Sequence, residues 1–365
     1  VTKLTSLRIA GWKSIREAEI EFRPLNVLIG GNGSGKSNLV SFFKMVNEMI
    51  AGRLQVYVAT AGGADALLHY GSKRTPAFQA KLSFPTDQGP IEFSWGLMTV
   101  AGSNSLVLEQ HLLEFPHNGG RHRHASLAGF SETKLRADSA HAEERFVHRW
   151  LTRCQVYHFH DTSLLGPMRQ DCLIDANRFL YSDGGNLPAM LYLYRQRYPT
   201  AYRRIVAAVK AAAPFFDDFV LEPLRLNPKN IALHWRSKES EYEFGPHQLS
   251  DGTLRAVALF TLLLQPEEDL PEMIVLDEPE LGLHPAALSV LADLLKSTAR
   301  HSQLLIATQS AALIGHFEAD DVVTVNLRDG ASTFERLDPE RLKEWLHEYT
   351  LSELWERNVI GGGPY

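Results

Sequence analysis

Residues 30–37 read Gly-Gly-Asn-Gly-Ser-Gly-Lys-Ser and lie between an apolar run (Leu25, Val27, Leu28, Ile29) and a helical one (Leu39, Val40, Phe42, Phe43, Val46, Met49). A strand that ends in such a turn and restarts as a helix suits one ligand class. Its glycines let the backbone close around a polyphosphate with successive N–H groups pointing inward. Lys36 supplies a point charge for the outer phosphates, and the hydroxyl of Ser37 suits Mg²⁺. The helix start adds its positive dipole end to the same place. Gly30, Asn32, Gly33, Ser34, Gly35, Lys36, Ser37 and Asn38 are therefore the candidate nucleotide-binding residues, and the chain is expected to be an α/β protein. The alternative, a glycine-rich turn without a nucleotide, needs the four fixed positions by chance, which ordinary residue usage allows in roughly one protein per hundred.

The 365 residues are 44% hydrophobic, enough for a substantial core and for two lobes. The longest apolar stretch, residues 256–264, is stopped by Pro266, short of the roughly 18 residues that cross a bilayer. Residues 1–10 have no sustained apolar core of the signal-peptide kind. Cys154 and Cys172 lack zinc spacing, so a reducing cytoplasm is the expected setting and no membrane partner is expected. A formal net charge of −6 argues against a uniformly basic nucleic-acid coat but leaves local basic faces open. Two arginine clusters qualify, Arg145, Arg149 and Arg153 at helical spacing and Arg195, Arg197, Arg203 and Arg204. Solvated helix faces are the simpler reading of both.

A second site element closes the run Met273–Glu278, where four apolar residues end in Asp277 and Glu278. Such a run reads as a buried parallel strand, and α/β sheets bind ligands at strand ends. Asp277 suits Mg²⁺, and Glu278 is placed to orient or deprotonate an attacking water. Upstream, Ser250, Asp251 and Gly252 open a helix that is apolar on most faces. Ser250 and Gly252 there make either an anion site or a simple helix cap.

Taken together, the phosphate loop, Leu-Ser-Asp-Gly-Thr, Ile-Val-Leu-Asp-Glu-Pro-Glu-Leu-Gly-Leu-His-Pro and Ala-Thr-Gln-Ser resemble, in order, the motifs of an ABC-type ATPase. More narrowly, the chain is similar to soluble ATPases of the RecF, SMC and OLD kind. The opening Leu-Arg-Ile-Ala-Gly-Trp-Lys-Ser-Ile and the tail Leu-Ser-Glu-Leu-Trp-Glu-Arg-Asn share that likeness. The resemblance implies a P-loop NTPase head with a mixed sheet, an antiparallel β subdomain and a helical signature lobe. It implies a head-to-tail homodimer in which ATP lies between Lys36 of one chain and Ser250 and Gly252 of the other. Ser37 and Asp277 would bind Mg²⁺, and Glu278, Lys36 and Gln309 would carry hydrolysis. The implied role is control of an effector protein, a nuclease or toxin, in DNA maintenance or anti-phage defence, with DNA as a further candidate partner. Alternatives are a transporter's nucleotide-binding subunit and a nucleotide-gated scaffold with little turnover.

Three positions depart from the family pattern. Gln309 stands where histidine is usual, and an amide cannot carry a proton charge. Asp251 replaces a glycine, its charge offset in part by the helix start. No clear glutamine fills the Q-loop, leaving His160 or Asp161.

Ser250 follows Lys36 by 214 residues, a gap that suits RecF-like heads better than transporter subunits. The expected lobes are 1–185 with a β-rich insertion, 186–270 with the signature, and 271–365 completing the core. Residues 78–84 and 91–97 alternate like antiparallel strands, whereas 186–213 is helical with a break at Pro199. Residues 118–142 read as an exposed, partly mobile loop. His122, His124, His158 and His160 are assigned to packing over metal binding. Trp345, Leu346 and Trp355 are likewise expected to pack, and Gly361–Gly363 to be flexible and able to dock a partner. The 55 residues after Ser310 hold no separated Asp-x-Asp pair, so cutting of nucleic acid is expected to need another protein.

Overall fold

The computed structural model describes residues 3–100, 102–117, 120–126, 131–133 and 135–363. The chain divides into two compact units: Val1–Val156, Glu272–Val275 and Leu305–Tyr365 form the first, Tyr157–Pro271 and Leu276–Leu304 the second.

The first unit holds a six-stranded antiparallel sheet in the order Ile15–Glu21, Ser6–Trp12, Ala77–Phe84, Ile91–Thr99, Leu106–His117, Gly120–Ser126. Period-two alternation decides its faces: Phe78, Ala80, Leu82 and Phe84 are buried, while Gln79 is exposed. The buried face shares its core with the helix Lys36–Ile50, where Trp12, Phe42, Phe78 and Trp95 form an aromatic cluster. The strand Gly120–Ser126 corrects the expectation of a loop over residues 118–142. Its charged residues are held across the sheet, Arg123 Nε 2.6 Å from Glu114 and Arg121 Nη2 2.5 Å from Glu92. Residues 118, 119, 127–130 and 134 lie outside the described residues.

A second six-stranded sheet has the order Ala331–Arg336, Val322–Arg328, Leu25–Ile29, Gln303–Thr308, Met273–Asp277, Cys154–Tyr157. Val322–Arg328 pairs antiparallel with Ala331–Arg336 and parallel with Leu25–Ile29, so the sheet is mixed. Leu25–Ile29 is buried at every position, as expected for an interior strand. The fold is thus an α/β P-loop architecture with an antiparallel β subdomain.

The second unit is built on the helices Leu187–Arg197, Pro199–Ala212, Asp251–Leu264 and Pro285–Thr298. Pro199 starts the second helix rather than merely ending the first, because its missing N–H falls among donors a first turn leaves unpaired anyway. Helix Asp251–Leu264 packs on its neighbours through Leu254, Val257 and Phe260, all fully buried. Two three-stranded sheets complete the unit.

Two expectations about the C-terminal part need correction. Trp355 is buried, but Trp345 is 47% exposed and Leu346 37%. The helix that carries them, Pro339–Glu348, buries no residue, and Trp345 packs only partly, its ring 6.1 Å from that of Tyr349. The glycine tail is docked: Gly362 N donates to Asn326 Oδ1 at 2.8 Å and its carbonyl accepts from Trp355 Nε1 at 2.9 Å. A Cβ on Gly362, at φ +70°, would stand 3.0 Å from the carbonyl of Ile29, so a side chain there would be strained and crowded by the strand that leads into the phosphate loop. Among the described residues, no helix is long and apolar enough to cross a membrane.

Candidate functional site

In the first unit, strand Leu25–Ile29 runs into the loop and restarts as the helix Lys36–Ile50, with Gly35 as its N-cap. The glycines are required for different reasons. Gly33 and Gly35 have φ of +75° and +111°, a region L side chains rarely adopt. A Cβ on Gly30 would lie 2.5 Å from the carbonyl of Val325, and one on Gly35 2.0 Å from Ser332 Oγ. Gly33 faces open space. Lys36 is buried, and its Nζ donates to the carbonyls of Gly30 at 2.6 Å and Gly31 at 3.1 Å.

The hydroxyl oxygen of Ser34 is buried with no hydrogen-bond partner in the protein. An unpaired buried hydroxyl costs about 1–3 kcal/mol, a cost that an acceptor reaching it on ligand binding would remove. That vacancy of partner, together with the open side at Gly33, fits a polyphosphate. Asn32 and Ser37 are exposed. Asn38 turns its side chain elsewhere, its Nδ2 donating to Ser14 Oγ at 2.6 Å. Gln309 is half-buried directly after strand Gln303–Thr308, which neighbours Leu25–Ile29 in the sheet.

In the second unit, Asp277 ends its strand and Glu278 follows at φ +44°. A non-glycine residue in this region is a local strain that persists only where the surroundings fix it. The fixing groups are visible. His160 Nε2 lies 2.9 Å from the carbonyl of Asp277. Arg255, from the signature helix, donates to the carbonyls of Phe159 at 3.1 Å, His160 at 3.0 Å and Leu281 at 2.9 Å. A cavity of about 10 Å³, room for about one water, is lined by His160, Arg255, Asp277 and Glu278 among others. Of the two Q-loop candidates, His160 therefore reaches the acidic strand end. Asp161 instead accepts from Ser163 N at 3.2 Å and Ser163 Oγ at 2.6 Å.

At the signature, Ser250 is an exposed N-cap: its Oγ accepts from Thr253 N at 3.2 Å and lies 2.8 Å from Thr253 Oγ1. Gly252 packs within its own unit, since a Cβ there would lie 2.1 Å from the carbonyl of Gly282. The charge of Asp251 is met by a residue that sequence reasoning missed. Arg169, 6% exposed, places Nη2 2.7 Å from Asp251 Oδ1. It also donates to the carbonyls of Thr162 at 2.8 Å, Leu249 at 3.2 Å and Pro246. These bonds hold the Asp251 carboxyl below the usual aspartate range, the hydrogen bond from Arg169 being the largest cause. The one available signal was indirect: an aspartate in place of glycine asks for a counter-charge, without saying which.

The first arginine cluster is largely exposed, Arg149 keeping 68% of its side chain accessible. Arg149 and Arg153 lie 3.8 and 3.9 Å from Glu272, and Arg145 Nη1 donates to the carbonyls of Ser139 at 2.6 Å and Ala140 at 3.0 Å. In the second cluster, Arg195 bonds the carbonyl of Leu221 and Arg203 that of Pro199.

Comparison with known proteins agrees with this geometry. No curated protein matches the chain. Among solved structures, an Smc head bound to the C-winged helix domain of ScpA is 16% identical, with a TM-score of 0.63, covering 94% of this chain and 99% of that one. An Smc head domain with an extended coiled coil, bound to the C-terminal domain of ScpA and derived from Pyrococcus furiosus, is 16% identical with a TM-score of 0.62, over 95% and 99% of the two chains. The SMC head domain from Thermotoga maritima is 15% identical with a TM-score of 0.51, over 92% and 99%. At these identities the likeness establishes the fold. Residues 6–46, which hold the phosphate loop, match a family described as AAA domain. Residues 109–315, more than half of the chain, match the family described as AAA domain, putative AbiEii toxin, Type IV TA system. The chain belongs to this AAA domain family, and its P-loop fold resembles that of the Smc heads.

Proposed function

We propose that the chain binds and hydrolyses ATP with Mg²⁺, pairs head-to-tail with a second copy while ATP is bound, and thereby controls an effector protein. The observation that supports this most is the loop itself: left-handed Gly33 and Gly35, and a Ser34 hydroxyl buried without a protein partner. In this reading Gly30, Asn32, Gly33, Ser34, Gly35, Lys36 and Ser37 hold the phosphates, and Ser37 and Asp277 would hold Mg²⁺. Bound MgATP would supply the phosphoryl group and the cation's charge. Glu278 orients the water and accepts its proton, and Gln309 bonds a γ-phosphate oxygen. Because an amide brings no charge there, turnover is slow. Ser250 and Gly252 of the second copy close the site, and the exposed Ser250 hydroxyl can turn its proton from Thr253 to a phosphate. ATP binding and pairing then favour each other by mass action.

The family description, which names a toxin, and the Smc heads found bound to ScpA domains support a protein partner. The effector in this proposal is a nuclease or toxin acting in defence or DNA maintenance.

Glu278→Gln tests the reading. With a general base removed, ATP turnover is expected to fall by about 100-fold or more while ATP still binds. Size-exclusion chromatography with light scattering is expected to give twice the single-chain mass for Glu278→Gln with ATP and Mg²⁺, and the single-chain mass without. A mass that ignores ATP would overturn the pairing, and equal turnover in both proteins would overturn the role of Glu278.

A further inference from the structure

We propose that Ser332, in the closing strand Ala331–Arg336, is a positioning residue for the phosphate loop, acting at one end of a one-way chain of hydrogen bonds through Ser14 and Asn38. The proposal rests on the reading of residues 30–37 as an ATP site.

The polarity of the chain follows from what each atom can do. Asn38 Nδ2 lies 2.6 Å from Ser14 Oγ, and an amide nitrogen only donates. At the other end Ser332 Oγ lies 2.6 Å from the carbonyl oxygen of Ser34, which only accepts. The two serine hydroxyls are 2.6 Å apart. Each has one proton, and that of Ser332 is committed to Ser34, so Ser14 donates to Ser332. Asn38, Ser14, Ser332 and Ser34 are thereby linked in a single direction. Ser332 N also donates to the carbonyl of Ser14 at 2.8 Å, which fixes the turn between the first two strands against the closing strand.

The consequence lies in the Ser34–Gly35 peptide. In a trans peptide the C=O and N–H point in opposite directions. Anchoring the Ser34 carbonyl on Ser332 therefore turns the Gly35 N–H away from Ser332. An inward-pointing N–H is what a phosphate loop must present. Ser332 is 1% exposed, and Gly35 lies so close that a Cβ would stand 2.0 Å from its hydroxyl. The loop thus rests directly on this side chain, from a strand some three hundred residues away in sequence. Asn38, a candidate nucleotide contact by position, acts in this scheme by fixing the polarity of the chain.

The test uses the full chain, with ATP binding by calorimetry and amide hydrogen exchange without nucleotide. Ser332→Ala leaves the Ser34 carbonyl buried without its donor. It is expected to weaken ATP about tenfold and to speed exchange at Gly35, with the melting temperature of the nucleotide-free protein within about 3 °C of wild type. Ser332→Cys, which fills the same space with a weak donor, is expected to weaken ATP in the same direction, and Ser332→Thr, which keeps the hydroxyl, to restore it. Ser14→Ala leaves the Ser332–Ser34 bond in place and is expected to weaken ATP no more than about threefold. Wild-type affinity in both Ser332→Ala and Ser332→Cys would overturn the proposal. Should Ser332→Ala not fold, Ser332→Cys decides it alone. A wild-type chain that binds no ATP would instead sink the reading of the site, and the exchange rate at Gly35 in the Ser332 variants would still test the positioning.

Discussion

Lys36→Ala is expected to weaken ATP binding by at least about 100-fold while leaving the fold intact, measured by calorimetry beside a melting curve. The size of the effect comes from two losses. The ammonium group is the charge aimed at the outer phosphates, and charge-assisted hydrogen bonds are worth about 1.5–3 kcal/mol each, so two such bonds exceed the roughly 2.7 kcal/mol of a 100-fold change. In addition, Nζ ties the loop together through the carbonyls of Gly30 and Gly31. Arginine is no substitute, because Lys36 is only 5% exposed and a planar fork needs more room than a point donor. The fold persists because the helix core, Leu39, Val40, Phe42, Phe43 and Met45, is untouched. Affinity within about threefold of wild type would contradict the assignment of residues 30–37 as a phosphate cradle.

The second large effect is expected at Arg169, which no motif marks. Arg169→Ala removes a guanidinium whose side chain is 4% exposed and which serves three backbone carbonyls and Asp251. Each buried carbonyl left without a donor costs about 1–3 kcal/mol, so losing a guanidinium that serves three of them is expected to cost at least about 3 kcal/mol. The loss is expected to fall on the second unit, as a lowered melting temperature and faster amide exchange over residues 246–254. Arg169→Lys is expected to recover little, since one ammonium cannot reach four acceptors spread over Thr162, Pro246, Leu249 and Asp251. Asp251→Asn, which removes only the partly exposed charge partner, is expected to be mild. Unchanged stability and exchange in Arg169→Ala would show that the segment before the signature helix is held by other contacts.

These two residues mark the boundary between what could be read early and what could not. Lys36 belongs to a contiguous string whose glycines, flanking strand and following helix all state local requirements. The same holds for Asp277 and Glu278 at the end of an apolar run, for the alternation that gave Ala77–Phe84 and Ile91–Thr99, and for the cap at Ser250. Arg169 is separated from Asp251 by 82 positions, and Ser332 from Ser14 by 318. Nothing in either local sequence names its partner. The strand Gly120–Ser126 was unreadable for a related reason: its Arg-His-Arg-His pattern resembles a solvated loop until Glu92 and Glu114 stand opposite.

By itself, the sequence determined the phosphate loop, the acidic strand end and the helical and alternating periods, because backbone sterics, capping and side-chain periodicity act over a few residues. Only the tertiary structure decided that Glu278 is held at a left-handed φ, that Arg169 neutralises Asp251, that the loop rests on Ser332, and that the glycine tail docks beside Ile29. Hydrogen bonds and close packing act over about 3 Å whatever the separation along the chain, so such partners exist only once distant segments have been brought together.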